Sequence, residues 1–355
     1  MSPCTSMAAA CASNAGNTRA AVLAGLHRGW LAHLERRFPP LAALGLSGLE
    51  HALNTGQETG QEHALETGLE AYFAEVVHLD ANAARVALRN RLLDLLEARP
   101  GGLPAPLVRT LADRAARLEM DLGFSHRALK LPCSPGVLAE ARARRERHLA
   151  AYGGPSVGTV SRGGALKHYF RNHPRLLRGR DVLHLGPEAE LKAWIVAEAG
   201  ARTYVDADPF LEGTALALDM ARMDLPGGSF DVVVCHRVLE HVYDDAAALA
   251  EVWRVLRPGG LFSVSVPLSL DLERAVEWHV PDPRRHGHLR TYGADFPELL
   301  RGAGFEAREE RWLLGRSAEE LERAGAYNML LFHGFKQGGP ASDSASGLAT
   351  DREGA

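Results

Sequence analysis

An acidic residue stands at the end of a predicted strand, where a carboxylate can bind a ligand. Residues 202–205 form a short strand-like run that ends at Asp206, about 20 residues beyond a turn at Gly186. In dinucleotide-binding folds, a carboxylate at this spacing accepts two hydrogen bonds from a ribose diol. We therefore predict that Asp206 binds a nucleoside. Asp208 is the nearby alternative, and capping of a turn stays open as the role of either residue.

The stretch 230–268 supplies the elements that would position such a site. Phe230–Cys235 is apolar and β-branched, as expected for a strand buried on both faces. A polar loop and a helix with an acidic first turn follow, then Pro258–Gly260 and a second strand at Leu261–Leu268. The helix carries an apolar stripe formed by Leu249, Val252, Trp253 and Leu256. This βαβ unit predicts a parallel sheet with ligands at the carboxyl ends of its strands.

Length and composition limit the classes of protein to which this chain can belong. The chain has 355 residues, enough for two domains, with 46% hydrophobic and 24% charged residues, as in soluble globular proteins. The net charge of −4 gives no basic bias toward nucleic acid. No apolar run approaches the roughly 20 residues of a membrane span. The four cysteines show no metal-ligand spacing, so we expect a reduced cytoplasm.

The domain organisation follows from a change of pattern along the chain. Residues 19–152 have helical periodicity and predict an α-helical N-terminal domain. The helices expected in it are Ala20–Phe38, Ala64–Leu79, Ala83–Ala98, Pro104–Leu122 and Pro135–Ala151. The Ala- and Ser-rich residues 1–18 are predicted to be disordered, with a cleaved targeting peptide as the alternative. Residues 153–337 predict a single α/β domain, and the Gly/Ser/Ala/Asp-rich residues 338–355 a disordered tail.

Polar residues recur at closely spaced positions along the 230–268 stretch. Ser229-Phe230-Asp231, Leu239-Glu240-His241, Asp244 and the run from Glu251 to Gly260 follow one another without a gap. The pattern resembles the "SFD–hydrophobic run–LEH-x-x-D" and "E-x-x-RVL-(K/R)-PGG" segments of class I S-adenosylmethionine-dependent methyltransferases. A generic βαβ unit would explain the apolar pattern but not the joint spacing of these residues.

The resemblance covers about residues 160–336 and implies a Rossmann-like α/β sheet. The strands expected in it, besides the two of the 230–268 stretch, are Asp181–Leu185, Arg202–Val205, a poorly marked third near Thr214–Leu218, and an antiparallel closing pair at Glu306–Leu314 and Tyr327–Lys336. The helices expected around them are Gly164–Leu177, Glu188–Ala199 and Phe296–Ala303. The resemblance does not extend to the N-terminal helices.

The resemblance implies S-adenosyl-L-methionine as the cofactor and places it at the turn after the first strand. The family has an acidic-x-Gly-x-Gly pattern there, but His184 stands at the acidic position and Glu188 at the second glycine, so that only Gly186 keeps its type. This form resembles a subgroup with an LH-x-x-PE turn, whose members often act in sugar or natural-product pathways. We predict that Glu188 contacts the cofactor's ammonium group; a carboxylate that serves only the helix dipole is the alternative.

Three further cofactor contacts are implied by the resemblance. Asp219 would accept a hydrogen bond from the exocyclic amine of adenine, and Met220 would donate its backbone N–H and pack on the ring. His236 would flank the methionine part. The alternatives are a turn aspartate for Asp219 and a polar residue that merely ends a strand for His236.

Candidate catalytic residues lie on the acceptor side. Methyl transfer from a sulfonium is an in-line substitution, which needs a base only if the nucleophile must lose a proton. The segment Trp278–Tyr292 is long, polar and His-rich, as functional loops tend to be. His288 and Tyr292 belong to an H-x-R-x-Y pattern that the resembling subgroup shares; a buried structural clasp is the alternative. His241 is the third candidate, with orientation of the following helix as its alternative role.

The LEH loop also bears on metal binding. In ubiquinone-type O-methyltransferases, a glutamate two residues before the leucine joins the Glu-His pair in holding a divalent metal. Arg237 stands at that position here. Because its charge would repel a cation, we predict no metal.

These observations predict a methyltransferase that acts on O, N or C of a small-molecule acceptor, such as a sugar or natural-product intermediate. The N-terminal helices would cover the acceptor pocket or pair two protomers into a homodimer. The alternatives are a peptide or protein methyltransferase, in which these helices recognise the partner, and a non-catalytic cofactor-binding scaffold. No nucleic-acid or membrane partner is expected.

Overall fold

The computed structural model describes residues 19–37, 81–98, 104–152, 162–311, 316–323 and 329–337. The predicted disordered ends and a helix predicted at 64–79 lie outside the described residues. Contacts divide the chain into two compact units. The sheet unit comprises Met1–Leu26, Tyr152–Pro267 and Phe296–Ala355, and the helical unit comprises His27–Ala151 and Leu268–Asp295. The segment Leu268–Asp295, predicted within the α/β domain, thus groups with the helices.

The helices are labelled in chain order. They span α1 Arg19–Arg37, α2 Ala81–Ala98, α3 Ala105–Asp121, α4 Ser125–Ala128, α5 Pro135–Tyr152, α6 Arg162–Asn172, α7 Ala189–Ala197, α8 Asp245–Val255, α9 Phe296–Gly302 and α10 Ala318–Arg323. The helices predicted for the N-terminal part at Ala20–Phe38, Ala83–Ala98, Pro104–Leu122 and Pro135–Ala151 agree with α1, α2, α3 and α5 to within a few residues. In the described part of the chain, no helix is both long and apolar enough to cross a membrane.

A six-stranded sheet forms the centre of the sheet unit, in the order β2-β1-β3-β4-β8-β7. Its strands are β1 Asp181–Leu185, β2 Thr203–Ala207, β3 Phe230–His236, β4 Leu256–Ser265, β7 Phe305–Glu310 and β8 Leu331–Lys336. The first four are parallel, whereas β8 runs antiparallel to β4 and β7 antiparallel to β8. The predicted Rossmann-like sheet and its antiparallel closing pair are therefore confirmed.

The strand order creates a crevice at the carboxyl ends of the strands, between β1 and β3. The chain leaves β1 for β2 on one side, whereas β3 lies on the other side of β1. In open α/β sheets, ligands bind at such a switch point, outside the carboxyl ends of the strands. The turn that contains Gly186 and the loop that contains Val238 follow β1 and β3 at this edge.

The core of the sheet unit lies between the sheet and the helices α6 and α7. All five residues of β1 are buried, which agrees with a strand covered on both faces. The apolar cluster includes Leu166, Phe170, Val182, Leu191, Trp194, Ile195, Val232 and Val234. Full burial of such side chains contributes about 1.5–3 kcal/mol each, so this packing fixes the position of the turn after β1.

Two predictions for the sheet unit were wrong. Thr214–Leu218 makes an isolated bridge, Leu216 with Ala207, instead of a strand. The chain turns on both sides of this bridge, since Gly213 has a φ of +79° and the carboxylate of Asp219 accepts from the N–H of Ala221. Trp253, predicted on the buried stripe of α8, is 40% exposed, and its ring packs under the ammonium of Lys336 at 3.9 Å.

The segment predicted as an acceptor loop forms a β-hairpin in the helical unit. Strands β5 Val276–Asp282 and β6 His288–Thr291 are antiparallel, and a short 3₁₀ turn at Pro283–Arg285 joins them. The indole N–H of Trp278 donates to the backbone oxygen of His288 at 2.9 Å. The segment is therefore a hairpin, and the prediction of a loop was wrong.

Four buried charges connect this hairpin to α2 and α3. Arg89 contacts Glu119 at 3.0 Å and also pairs with Asp282, and Arg285 contacts Glu119 at 3.0 Å and Asp282 at 3.3 Å. The guanidinium of Arg285 also lies 3.0 Å above the ring of Phe124. Two cations balance two anions, so that no buried charge is left uncompensated.

Candidate cofactor site

The turn after β1 has no room for a side chain. Gly186 has a φ of +59°, in the region that favours glycine. A Cβ atom at this position would lie 2.4 Å from Cγ2 of Val238, far inside van der Waals contact. The backbone at Gly186 therefore approaches the loop after β3 as closely as it can, and it forms a cradle at the switch point that fits a nucleoside-linked ligand.

Glu188 and His184 form the polar lining of this turn. His184 Nε2 lies 3.1 Å from Oε2 of Glu188, and His184 Nδ1 lies 2.9 Å from the hydroxyl of Tyr204. Arg162 Nε lies 3.0 Å from Oε1 of Glu188. Burial raises the pKa of Glu188, but the hydrogen bond from His184 and the nearby cationic groups outweigh it and lower that pKa below its usual value. The carboxylate is therefore ionised.

Both carboxylate oxygens of Asp206 are used by the protein itself. Its Oδ2 lies 2.5 Å from Nζ of Lys192, and its Oδ1 accepts from the N–H of Ala215 at 2.9 Å. The side chain is almost completely buried. In this arrangement, a ribose could reach the carboxylate only if Lys192 moved away.

Asp208, the alternative, faces the glycine turn. Its Oδ1 accepts from the N–H groups of Phe210 and Leu211, each at 2.7 Å. Its Oδ2 lies 3.8 Å from the position that a Cβ atom on Gly186 would occupy. One oxygen thus fixes the loop, and the other lies at the cradle.

Asp219 and Met220 lie on the loop before β3. The carboxylate of Asp219 accepts from the N–H of Ala221 at 2.9 Å and from the hydroxyl of Tyr243 at 3.2 Å. Burial is the largest influence on Asp219 and raises its pKa. Met220 is buried, with its sulfur 3.8 Å from the thiol of Cys235.

Two of the residues that carry the family pattern hold this loop. Glu251 accepts from the N–H of Met223 at 2.7 Å. Arg254 donates to the backbone oxygens of Met223 at 2.8 Å and Leu225 at 2.6 Å, and it also pairs with Glu251. The glutamate and arginine of the "E-x-x-RVL" segment therefore position the loop of Asp219.

His236 is the last residue of β3, and its ring points into the buried interior at this end of the sheet. Its Nδ1 is 3.0 Å from the hydroxyl of Ser265 on β4, and its side chain is completely buried. Burial lowers the pKa of His236 to about 3, so that the ring is neutral at physiological pH.

The LEH loop forms a 3₁₀ turn at Leu239–His241. His241 is exposed, whereas Glu240 is buried and has Nε of Arg237 at 3.3 Å from its Oε1. Arg237 has a φ of +61°, a left-handed conformation that is uncommon for a residue with a side chain. The guanidinium thus stands beside the acid that a metal would need.

The other two catalytic candidates belong to the helical unit. His288 lies on β6, and the backbone oxygen of Tyr292 accepts from the N–H of Ser269 at 2.9 Å. Both side chains are buried. In the same unit, His33, Glu277 and His279 hold ligand-type atoms within 4.8 Å of one another, but Glu277 also pairs with Arg290.

Sequence reasoning missed several residues at the switch point. Arg162, Lys192, Tyr204 and Tyr243 belong to no motif, and their contacts join segments that are far apart in sequence. One usable signal for Arg162 was a cation at the start of the helix before β1, which could pair with a glutamate in the degraded glycine turn.

A doubly wound sheet with a glycine cradle at its switch point, and carboxylates on the loops after neighbouring strands, suits a ligand that contains a nucleoside. The family model described as a methyltransferase domain matches residues 192–264. The chain therefore contains a class I S-adenosylmethionine-dependent methyltransferase domain, whose cofactor is S-adenosyl-L-methionine.

Two curated relatives carry methyltransferase names, and a solved methyltransferase structure is also similar to part of this chain. A probable S-adenosylmethionine-dependent methyltransferase of Mycolicibacterium smegmatis is 32% identical over 160 residues, which cover 40% of this chain and 61% of the relative. The malonyl-[acyl-carrier protein] O-methyltransferase of Yersinia pestis is 35% identical over 120 residues, covering 33% and 40% of the two chains. The solved structure of 1,6-didemethyltoxoflavin-N1-methyltransferase from Burkholderia thailandensis is 21% identical, with a TM-score of 0.36 over 58% of this chain and 92% of that chain. The chain spans less than two thirds of the length of these curated relatives.

Proposed function

We propose that this protein transfers a methyl group from S-adenosyl-L-methionine to O, N or C of a small-molecule acceptor. The observation that carries the proposal is the cradle at Gly186, which only a residue without a side chain can form, beside Asp208 and the ionised Glu188. When bound, the cofactor supplies an electrophilic methyl group on a sulfonium.

Each residue at the switch point would contact a different part of the cofactor. The backbone at Gly186 would lie against the nucleoside, and Glu188 would attract the ammonium of the methionine part. Asp219 would accept from the adenine amine, and Met220 would pack on the ring. We assign the ribose to Asp208 and not to Asp206, because Lys192 and Ala215 already use both oxygens of Asp206.

His236 has a supporting role in this proposal. Its neutral ring bonds to Ser265, which joins the ends of β3 and β4 next to the turn at Glu188. At such burial, the cost of charging the ring outweighs the attraction of the nearby Glu188 carboxylate. His236 therefore holds the strand ends together and does not contribute a cation to the site.

Positioning supplies most of the rate in a direct substitution, so a general base is needed only for an acceptor that must lose a proton. His241 is the exposed candidate base on the LEH loop. His288 and Tyr292 remain candidates on the hairpin of the helical unit, where their burial also fits a structural role.

The class of acceptor is tested with labelled cofactor. The full-length protein is incubated with methyl-labelled S-adenosylmethionine and cell extract, and the products are separated by size. Label in the small-molecule fraction is expected. Label in protein would instead favour a peptide or protein acceptor. Absence of label in every fraction, with no binding of S-adenosylhomocysteine, would contradict the proposal and leave a non-catalytic scaffold.

A further inference from the structure

We propose that His33, Glu277 and His279 in the helical unit bind a divalent first-row transition-metal ion such as Zn²⁺. One potential ligand atom from each of the three side chains lies within 4.8 Å of the other two. Two imidazoles and one carboxylate are ligands that zinc and its first-row neighbours use, whereas Mg²⁺ and Ca²⁺ prefer oxygen ligands alone. The ion would join α1 to β5, and its binding does not depend on methyl transfer.

Two of the ligands lie close together on β5. His279 Nδ1 is 3.0 Å from Oε1 of Glu277, two positions earlier on the strand. The pairing of β5 with β6 changes register between Glu277 and Asp282, and within this irregular part His279 has a φ of +61°. Irregularities of this kind redirect side chains and are frequent beside functional sites. Here the left-handed residue places its imidazole next to the carboxylate.

The third ligand comes from α1. The ring centroids of His33 and His279 are 6.0 Å apart. Trp30 precedes His33 by three residues and therefore lies on the same face of the helix. Its indole N–H donates to the backbone oxygen of His279 at 3.2 Å. This hydrogen bond fixes α1 against the irregular part of β5, so that the two histidines are held next to each other.

Burial and access also suit a bound ion. The two histidines are buried, whereas the side chain of Glu277 is 21% exposed, so that an ion can enter beside the carboxylate. Zinc bonds of about 2.0–2.2 Å place tetrahedral ligand atoms about 3.3 Å apart, and small rotations of the three side chains would bring their atoms onto one ion. Three protein ligands leave the fourth position for a water molecule.

Arg290 also faces this site, because its guanidinium pairs with Oε1 of Glu277. Carboxylates that bind a metal are commonly held by a further hydrogen bond, which orients the ligand oxygen. The same positive charge repels a cation, so we expect weaker binding than in a site without an arginine. The absence of metal predicted from Arg237 concerned the LEH loop, whereas ligands from such distant segments form no local sequence pattern.

The test is titration of the full-length protein with Zn²⁺ and Co²⁺ after a chelator has removed any metal. Calorimetry should show binding of Zn²⁺, and excess Mg²⁺ should not compete with it. Co²⁺ should produce the visible absorption of a four-coordinate ion with nitrogen and oxygen ligands. Zn²⁺ should also raise the midpoint of thermal unfolding, because it binds only the folded arrangement of the three side chains.

Two variants remove one ligand each. His33→Gln places a good helix former on α1, and His279→Asn places a residue that tolerates the left-handed conformation on β5. Each should weaken Zn²⁺ binding by at least about 10-fold, because even loss of a hydrogen-bond partner of a metal ligand costs that much. His286→Asn is the matched control, since His286 has a φ of +57° but is exposed and lies outside the set. It should bind Zn²⁺ like the wild type.

Weaker binding in His33→Gln and His279→Asn, but not in His286→Asn, would support the proposal. Wild-type protein that binds no Zn²⁺, or ligand variants that bind it as tightly as the wild type, would overturn it. An equal loss in His286→Asn would indicate adventitious binding by surface histidines and would also overturn it. Circular dichroism of the metal-free variants shows whether each is folded, and if one is not, the other decides. Because no measurement uses methyl transfer, failure of this site leaves the proposed function intact.

Discussion

The Nζ atom of Lys192 lies 2.5 Å from Oδ2 of Asp206, on the carboxylate that the sequence pattern assigns to a ribose. Asp208, two residues further along, keeps one oxygen at the glycine turn. The structure thus gives different surroundings to two acids, of which the sequence pattern favoured Asp206. One stabilises the loop after β2, and the other is free to face a ligand.

This separation predicts different phenotypes for the two amide variants. Asp208→Asn should weaken S-adenosylhomocysteine by about 10-fold or more, because a charge-assisted acceptor at the cradle is lost. Asp206→Asn should change affinity less and instead lower the free energy of unfolding by about 1–2 kcal/mol, because Lys192 loses its partner. Calorimetry and urea unfolding of both variants measure the two effects. A larger affinity loss for Asp206→Asn would reverse the assignment.

The pair of Glu251 and Arg254 should control the loop of Asp219. Arg254→Met removes the donors to the backbone oxygens of Met223 and Leu225, so we expect a loss of about 1–2 kcal/mol in unfolding free energy and a several-fold weaker cofactor affinity. Arg301→Met is the control, since Arg301 makes an exposed i,i+3 pair with Glu298 and should cost less than about 0.5 kcal/mol. Equal effects of the two substitutions would argue against this role.

Two buried neutral histidines should make the sheet unit acid-sensitive. Burial lowers the pKa values of His236 and His333 to about 3, below the value of about 6.5 in an unfolded chain. The unfolded chain therefore takes up protons first as the pH falls. Their contribution to stability is complete above pH 6.5 and declines toward pH 3. At pH 5, each histidine should already cost about 2 kcal/mol relative to pH 8.

The variant His333→Phe tests this origin of the acid sensitivity. His333 packs edge-on against the rings of Tyr169 and Phe335, where a phenyl ring is compatible with the surroundings. Urea unfolding at pH 8 and pH 5 should show a stability difference smaller by about 2 kcal/mol than in wild type. His286→Asn changes an exposed histidine and should leave the difference as it was. An unchanged difference in His333→Phe would point to other groups.

The sequence predicted features that depend on residues close together in the chain. It missed features that depend on contacts between distant residues. The strand Asp181–Leu185 was predicted to the residue, because it lies just before the turn at Gly186 and three of its five residues are apolar. The strand expected near Thr214 is reduced to one bridge, because turns at Gly213 and Asp219 lie on either side of it. The hairpin β5–β6 was missed because its polar residues form buried ion pairs with α2 and α3, which no local pattern reveals.

The motif residues show the same division. Asp231 of the "SFD" segment accepts from the N–H of Asp181 at 2.9 Å and pairs with Arg202 and Arg257, so it joins the beginnings of the strands. Asp231, Glu251 and Arg254 carry much of the resemblance, but their contacts stabilise the fold and do not reach the cofactor site directly. The family pattern therefore predicted the fold well, whereas Arg162 and Lys192, which shape the site, stand outside it.

The central claim is that the glycine cradle at the switch point holds the cofactor. Its most direct test is calorimetric titration of S-adenosylhomocysteine into wild type, Gly186→Ala and Gly302→Ala. We expect binding by wild type and by Gly302→Ala, where a Cβ meets nothing within 4 Å, and loss of at least about 10-fold for Gly186→Ala, because the added atom would lie 2.4 Å from Val238. Equal affinity of all three proteins, or no binding by wild type, would contradict the account.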